Sequence, residues 1–160
     1  MTQEKIKIAN LVEDRVFIAT PDLPKEQVLG QLVKLICQAA AEQLNFEEIL
    51  KQILAREMEL STTLDSGLSL PHVRVEGFDK ALGAVGVLPK ALQDMNEQPI
   101  KAVFLFITPV RSEFFQLHLQ ILASAVETFS PALMEMLSHC SSKEAVLQLL
   151  SHAGVGGEMI

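Results

Sequence analysis

Residues 100–129, "IKAVFLFITPVRSEFFQLHLQILASAVETF", decide the fold because two kinds of apolar pattern meet within them. The first ten residues are almost continuously apolar and rich in Val, Ile and Phe, which is typical of a strand buried on both faces of a sheet. After Pro109 the apolar residues recur at helical spacing as far as residue 129. A strand buried on both faces needs helices above and below it, so this stretch indicates a layered α/β fold.

Further strands and helices are predicted on both sides of this stretch. Short apolar runs predict strands at residues 15–20, 68–73 and 81–88. Apolar residues at helical spacing predict helices at 22–45, 46–57, 131–140 and 142–153. In the strand at 81–88, Gly83 and Gly86 indicate a bulge or a close approach of backbone. The order of helices, strands and helices predicts a three-layer αβα sandwich, a mixed β-sheet flanked by helices.

Length and composition restrict the class of protein. The 160 residues fit a single domain, 1–160, with an ordered core from about 5 to 151 and a frayed tail. With 20 acidic and 13 basic side chains and no basic cluster, the chain is not expected to bind nucleic acid. It has no signal-peptide pattern and no apolar run near the length of a membrane span, which predicts a cytoplasmic protein with no membrane insertion.

Metal and cofactor sites are not predicted. Cys37 and Cys140 form no CxxC pair and are expected to be free structural thiols. Zinc normally takes three protein ligands, and no HxH or HExxH spacing joins His72 to His118; Asp65 or Glu57 would have to supply the third. A Ser-His-Asp hydrolase is disfavoured because the chain has no GxSxG elbow.

His72 is the first candidate for chemistry. It follows Pro71, which fixes φ and removes a hydrogen-bond donor, so the imidazole should have a fixed direction at the rim of the sheet. The preceding loop "STTLDSG" (61–67) is rich in hydroxyl groups and can present donors to an anion. The alternative is that the loop is an ordinary polar connection.

His118 is the second candidate, on the inward face of the helix at 112–129. Its helical neighbours are apolar: Phe114, Ile121, Leu122 and Ala125. Such a histidine can simply be a core residue. With His72, however, it indicates phosphoryl chemistry, because a neutral imidazole accepts a phosphoryl group and a second imidazole and a guanidinium can hold the oxygens. Arg56 is the candidate guanidinium, or else a solvated base at a helix end.

Two segments carry a resemblance to a known family. "REMELSTTLDSGLSLPHVRVEGF" (56–78) resembles the active-site segment of the fructose–mannitol type enzyme IIA domains of the bacterial phosphoenolpyruvate:sugar phosphotransferase system, which include nitrogen-regulatory proteins. Residues 99–129 resemble their second signature, a buried strand followed by a His-Leu-x-x-Leu-Ala helix. In order along the chain, the resemblance runs from residue 15 to residue 150 and implies a mixed sheet flanked by helices.

The resemblance implies a phosphotransferase component that needs no cofactor. His72 would be phosphorylated by an HPr-like phosphocarrier, with His118 as the auxiliary histidine, Arg56 beside it, and Ser61 and Thr62 opening the phosphate-binding loop. The phosphate would pass to a IIB protein, or the phosphorylation state would regulate a partner transporter or kinase. A third possibility is a degenerate binding domain that accepts no phosphate.

The loop before His72 departs from the family pattern. Residues 63–66, Thr-Leu-Asp-Ser, stand where the family usually has Gly-Ile-Gly and a polar residue, and Val73 replaces a small residue. Losing glycines removes freedom to adopt positive φ. Asp65 adds a negative charge, which is expected to disfavour an incoming anion.

Overall fold

A five-stranded mixed sheet forms the middle of the structure, a computed structural model that describes residues 6–41, 43–59, 63–93 and 99–153. Its strands are β1 (Val16–Ile18), β2 (Leu68–Ser69), β3 (His72–Val75), β4 (Leu82–Gln93) and β5 (Pro99–Pro109). The helices are α1 (Ile8–Val12), α2 (Lys25–Ala39), α3 (Phe46–Glu59), α4 (Phe115–Thr128), α5 (Pro131–Leu137) and α6 (Lys143–His152), with a 3-10 turn at Ser112–Phe114.

The long strands β4 and β5 lie at the centre of the sheet. They pair antiparallel, and β1 pairs parallel with β4 on the far side. On the other side of β5, both β2 and β3 pair with it in parallel, one after the other along the same edge. The pairing along this edge fixes the position of the first residue of β3 relative to β5.

The strand predicted at residues 68–73 is therefore two strands, and the prediction of one is wrong. Pro71 has no backbone N–H, so the ladder is interrupted between β2 and β3. The segment nevertheless stays beside β5, because the N–H of Phe106 donates to the carbonyl of Pro71 at 3.2 Å. The break leaves β3 starting at His72.

Apolar side chains cover both faces of the sheet, and the predicted three-layer αβα sandwich is confirmed. On one face, Val103, Leu105 and Ile107 of β5 belong to the core shared with α2 and α3. On the other, Phe104 and Phe106 belong to the core shared with α1, α4, α5 and α6. All five side chains are at most 1% exposed, as expected for a strand between two helical layers.

The glycines of β4 allow close packing, as their positions in the sequence indicated. A Cβ at Gly83 would lie 2.7 Å from Cε1 of Phe104, and one at Gly86 would lie 3.3 Å from Cδ1 of Leu32. Cys37 and Cys140 are free thiols, as predicted. In the part of the chain that the structure describes, no helix is both long and apolar enough to cross a bilayer. The predicted tail at residues 154–160 lies outside that part.

Candidate active site

His72 is the first residue of β3, and its ring is fixed on two sides. The parallel register places it opposite Phe106 of β5, and the two rings stack with centroids 5.2 Å apart and planes 12° from parallel. Its Nδ1 lies 2.7 Å from the carbonyl oxygen of Leu70. Because a carbonyl only accepts, Nδ1 carries the hydrogen and Nε2 keeps its lone pair. When the half-buried ring is neutral, Nε2 is therefore its nucleophilic atom.

His118 lies on the inward face of α4, where the helical pattern placed it. It is 7% exposed, and its ring is 5.4 Å from the ring of Phe106 and 5.2 Å from the ring of His72. Its Nδ1 is 2.7 Å from Oγ1 of Thr108, near the end of β5. The structure therefore brings together the two histidines singled out from the sequence, with Phe106 in contact with both.

Both histidines are biased toward the neutral form. Burial lowers the pKa of His72; the hydrogen bond to Leu70 and the charge of Glu57 oppose this, and the charge of Arg56 adds to it. Burial first, and then the neighbouring His72, Arg74 and Arg56, together lower the pKa of His118 to about 4. Near pH 7 each ring therefore has one ring nitrogen without a proton.

Arg56 lies in the last turn of α3 and is exposed. Its charge acts on both histidines, and its role as the guanidinium of the site stays a prediction. The next residue, Glu57, is buried and pairs with Lys25 at 3.0 Å. Ser61 and Thr62, the two predicted phosphate-binding residues of the loop, lie outside the described residues.

Arg74 is a second guanidinium at this site that the sequence analysis did not select. It follows His72 by two positions in β3, so both side chains lie on the same face of the sheet. One terminal nitrogen donates to the carbonyls of Pro109 and Arg111, each at 3.0 Å, and the group lies 5.4 Å from the ring centroid of Phe115. Its Nε is buried without a partner, and no carboxylate in the described ranges pairs with it. Alternation along the strand was the signal that could have identified it.

The described end of the loop before β2 has ordinary backbone geometry. Residues 63–66 all have negative φ, and the residue with positive φ is Gly67, at 92°. The N–H of Gly67 donates to the carbonyl of Leu64, and its own carbonyl accepts from Lys101. Asp65 is exposed in the turn. In this part of the loop, the residues that replace glycine therefore cause no backbone strain.

The arrangement can receive an anion. A nucleophilic imidazole stands 5.2 Å from a second imidazole, and two guanidiniums add positive charge at the rim. Among the residues that the structure describes, no group of three His, Cys, Asp or Glu side chains could hold a metal ion. Positive charge at such a site stabilises phosphoryl oxygens, while Glu57 is a carboxylate whose charge also acts on His72.

The chain is similar to known proteins over most of its length. The family model for the phosphoenolpyruvate-dependent sugar phosphotransferase system, EIIA 2, matches residues 10–153. A nitrogen regulatory protein of Klebsiella oxytoca is 27% identical over 133 residues, 79% of this chain and 80% of that protein. Nitrogen regulatory protein IIA-Ntr from Neisseria meningitidis superposes with a TM-score of 0.74 at 22% identity, covering 89% of this chain and 98% of that one. Enzyme IIAMTL of Escherichia coli, solved in complex with phosphorylated enzyme IIBMTL, gives 0.67 at 17% identity, over 86% and 94%.

Proposed function

The chain belongs to the EIIA 2 family of the phosphoenolpyruvate-dependent sugar phosphotransferase system, and from that premise we propose that it carries a phosphoryl group on Nε2 of His72. The observation that supports this most directly is the hydrogen bond from Nδ1 of His72 to Leu70, which leaves Nε2 as the nitrogen with a lone pair. The lowered pKa of His72 keeps that lone pair available near pH 7.

Transfer to His72 is a displacement at phosphorus. The Nε2 lone pair forms the new N–P bond while the N–P bond to a phosphohistidine of the donor breaks, and that electron pair returns to the donor's imidazole. Positive charge develops on the ring of His72, and the bond from Nδ1–H to the carbonyl of Leu70 stabilises it. The phosphoryl group keeps its charge throughout, so no other co-reactant is needed.

The remaining site residues act on the phosphoryl oxygens. His118 contacts them from α4, and Arg56 supplies charge from the end of α3. Ser61 and Thr62 complete the proposal as oxygen-binding residues of the loop, on the strength of their match to the family's motif. Cationic groups that face the oxygens stabilise charge in the transition state more than in the free reactants.

The donor is a phosphorylated HPr-like protein, and the acceptor is a IIB protein. The relative solved with phosphorylated enzyme IIBMTL supports this acceptor class. We place the transfer in a protein complex rather than on a small molecule, because His72 is only half-buried and lies at the rim of the sheet, where another protein's histidine can approach.

Phosphorylation in a reconstituted system tests the proposal. The protein is incubated with phosphoenolpyruvate, enzyme I and either HPr or its nitrogen-branch counterpart, and acid-labile phosphate is measured. Wild type and the control His152→Ala, at an exposed position of α6, should be labelled, whereas His72→Ala should not. A wild-type protein that stays unlabelled with both donors would leave the degenerate, non-phosphorylated domain as the remaining interpretation.

A regulatory role is the second candidate, and the relatives named nitrogen regulatory protein favour it. In this case the phosphate is a signal: it adds nearly two negative charges to a partly apolar rim and changes affinity for a transporter or kinase. Incubating the phosphorylated protein with a IIB protein separates the two roles. Movement of the labelled phosphate from this protein to IIB supports onward transfer. Phosphate that stays on this protein and changes its affinity for a partner supports regulation.

A further inference from the structure

The buried hydroxyl of Thr108 lies beside His118 at the candidate site. Thr108 is fully buried near the end of β5. The parallel register places it opposite Arg74, just as it places Phe106 opposite His72 two residues earlier. Facing residues of a parallel pair point to the same side, so the hydroxyl lies on the same face as the two histidines.

The hydrogen bond between Thr108 and His118 can be formed in two directions. Oγ1 of Thr108 and Nδ1 of His118 are 2.7 Å apart. Either the ring donates from Nδ1–H to the hydroxyl oxygen, or the hydroxyl donates its hydrogen to a bare Nδ1. The first case leaves Nε2 of His118 without a hydrogen, and the second leaves the hydrogen on Nε2.

Burial selects the second direction. Within the described part of the chain, the Thr108 hydroxyl has no other partner than His118. If the ring donated, the hydroxyl hydrogen would be enclosed with no acceptor, which costs about 1–3 kcal/mol. If the hydroxyl donates, both groups are satisfied and the ring keeps its single hydrogen on Nε2.

We propose that Thr108 is a positioning residue that holds His118 in the tautomer with its hydrogen on Nε2, so that His118 donates a hydrogen bond to the phosphoryl group on His72. The role in transfer rests on the proposed function; the tautomer does not. The ring centroids of the two histidines are 5.2 Å apart, so a donor on one ring lies within reach of a phosphoryl oxygen carried by the other.

The two imidazoles then have opposite polarity at the same site. The carbonyl of Leu70 is an acceptor and holds the hydrogen of His72 on Nδ1, whereas the hydroxyl of Thr108 is a donor and holds the hydrogen of His118 on Nε2. One ring presents a lone pair and the other an N–H. The pKa of His118, about 4, agrees with a ring that has a single hydrogen at neutral pH. The titratable and charged groups that act on it are His72 and Arg74 on β3 and Arg56 on α3.

Nitrogen NMR of the unphosphorylated protein tests the tautomer. In ¹⁵N-labelled wild type at pH 7.5, long-range correlations should show the hydrogen on Nδ1 of His72 and on Nε2 of His118. Thr108→Val has nearly the same shape but no hydroxyl, and it should lose the single tautomer of His118. Thr108→Ser restores the hydroxyl and should restore the wild-type spectrum. Thr128→Val, a matched change at a buried position near the end of α4, should leave both rings unchanged.

The same variants test the consequence for transfer. Thr108→Val should slow phosphorylation of His72 by about 10-fold, the effect of one lost hydrogen bond, and Thr108→Ser should recover most of that rate. Thr128→Val controls for the loss of a buried hydroxyl and should transfer at the wild-type rate.

Three results would overturn the inference: a wild-type His118 with its hydrogen on Nδ1, an unchanged tautomer in Thr108→Val, or a changed tautomer with an unchanged transfer rate. The spectrum is recorded without any phosphate donor, so its result is independent of the proposed function. Failure of wild type to take up label would instead count against the proposed function.

Discussion

His72 and His118 face the same space, but different kinds of group hold them. His72 is half-buried at a strand end, and a backbone carbonyl fixes its Nδ1. His118 is 7% exposed on a helix, and a side-chain hydroxyl contacts its Nδ1. No substitution can remove the carbonyl, whereas one substitution removes the hydroxyl. The state of the proposed nucleophile is therefore set by the fold, and that of its neighbour by the residue at position 108.

The two histidines also differ in how much exposure their proposed roles require. The proposed nucleophile must be reached by a partner protein, so it lies at the rim and keeps some exposure. A residue that only stabilises charge acts best when it is buried and rigid, because a low local dielectric strengthens its hydrogen bonds. Burial lowers the pKa of both rings, but only for His72 do a hydrogen bond, to Leu70, and a carboxylate, that of Glu57, oppose the lowering.

Removing the buried ring should give the largest effect on transfer. His118→Ala keeps the nucleophile and should slow phosphorylation of His72 by about 100- to 1,000-fold, typical for the loss of one stabilising donor. His118→Gln keeps an N–H donor near the site and should fall between the alanine variant and wild type. Rates of label uptake measure both, and circular dichroism checks that each variant folds. An alanine variant that transfers at the wild-type rate would exclude His118 from the reaction.

The buried ring should also make stability depend on pH. The pKa of His118 is about 4 in the folded protein and 6.5 as the ordinary value, so the unfolded chain binds the proton more tightly. Stability is therefore full above about pH 6.5 and falls as the pH drops from there toward 4. His72 acts in the same direction because its pKa is also lowered.

Urea unfolding at pH 7.5 and pH 5.0 measures this dependence. His118→Gln should lose roughly 1–2 kcal/mol less between the two values than wild type loses. His139→Gln, at an exposed position after α5, is the matched control and should behave as wild type. An equal pH dependence in His118→Gln would show that the folded protein does not depress the pKa of His118.

The smallest effects should distinguish the two guanidiniums. The charge of Arg56 lowers the pKa of both histidines, whereas that of Arg74 is a cause of lowering only for His118. Arg56→Gln should therefore raise both pKa values, and Arg74→Gln should raise that of His118. Titration of the ring protons by NMR measures each value separately. A rise in the pKa of His72 alone on replacing Arg74 would reverse the assignment.

Strong local patterns made much of the fold predictable from sequence. The continuous apolar run of β5 and the helical spacing of α4 gave a central strand, an adjoining helix and an inward-facing His118. The helix α1, at Ile8–Val12, was not predicted because five residues are too few to show a period. The division between β2 and β3 depends on one missing N–H, that of Pro71, inside an otherwise uniform apolar run.

The site was only partly predictable because it depends on strand register. Arg74 and Thr108 are 34 positions apart in the sequence, and although each lies inside a segment that resembles the family, neither had a signal of its own. They lie opposite each other because β3 runs parallel to β5 in one particular alignment. A shift of one residue would have placed Thr108 on the other face of the sheet. The two histidines had local signals, whereas Thr108, which contacts His118, and Arg74, whose charge acts on it, did not.

The broken edge of the sheet has a consequence for solubility during folding. β5 is an almost entirely apolar strand, and strands of this kind promote aggregation when their edge is open to another chain. Here β2 and β3, of two and four residues, cover that edge, and Pro71 between them offers no N–H for an incoming strand. At the opposite edge β1 has only three residues. Short, interrupted outer strands thus protect the chain from sheet-to-sheet association while leaving His72 at the rim.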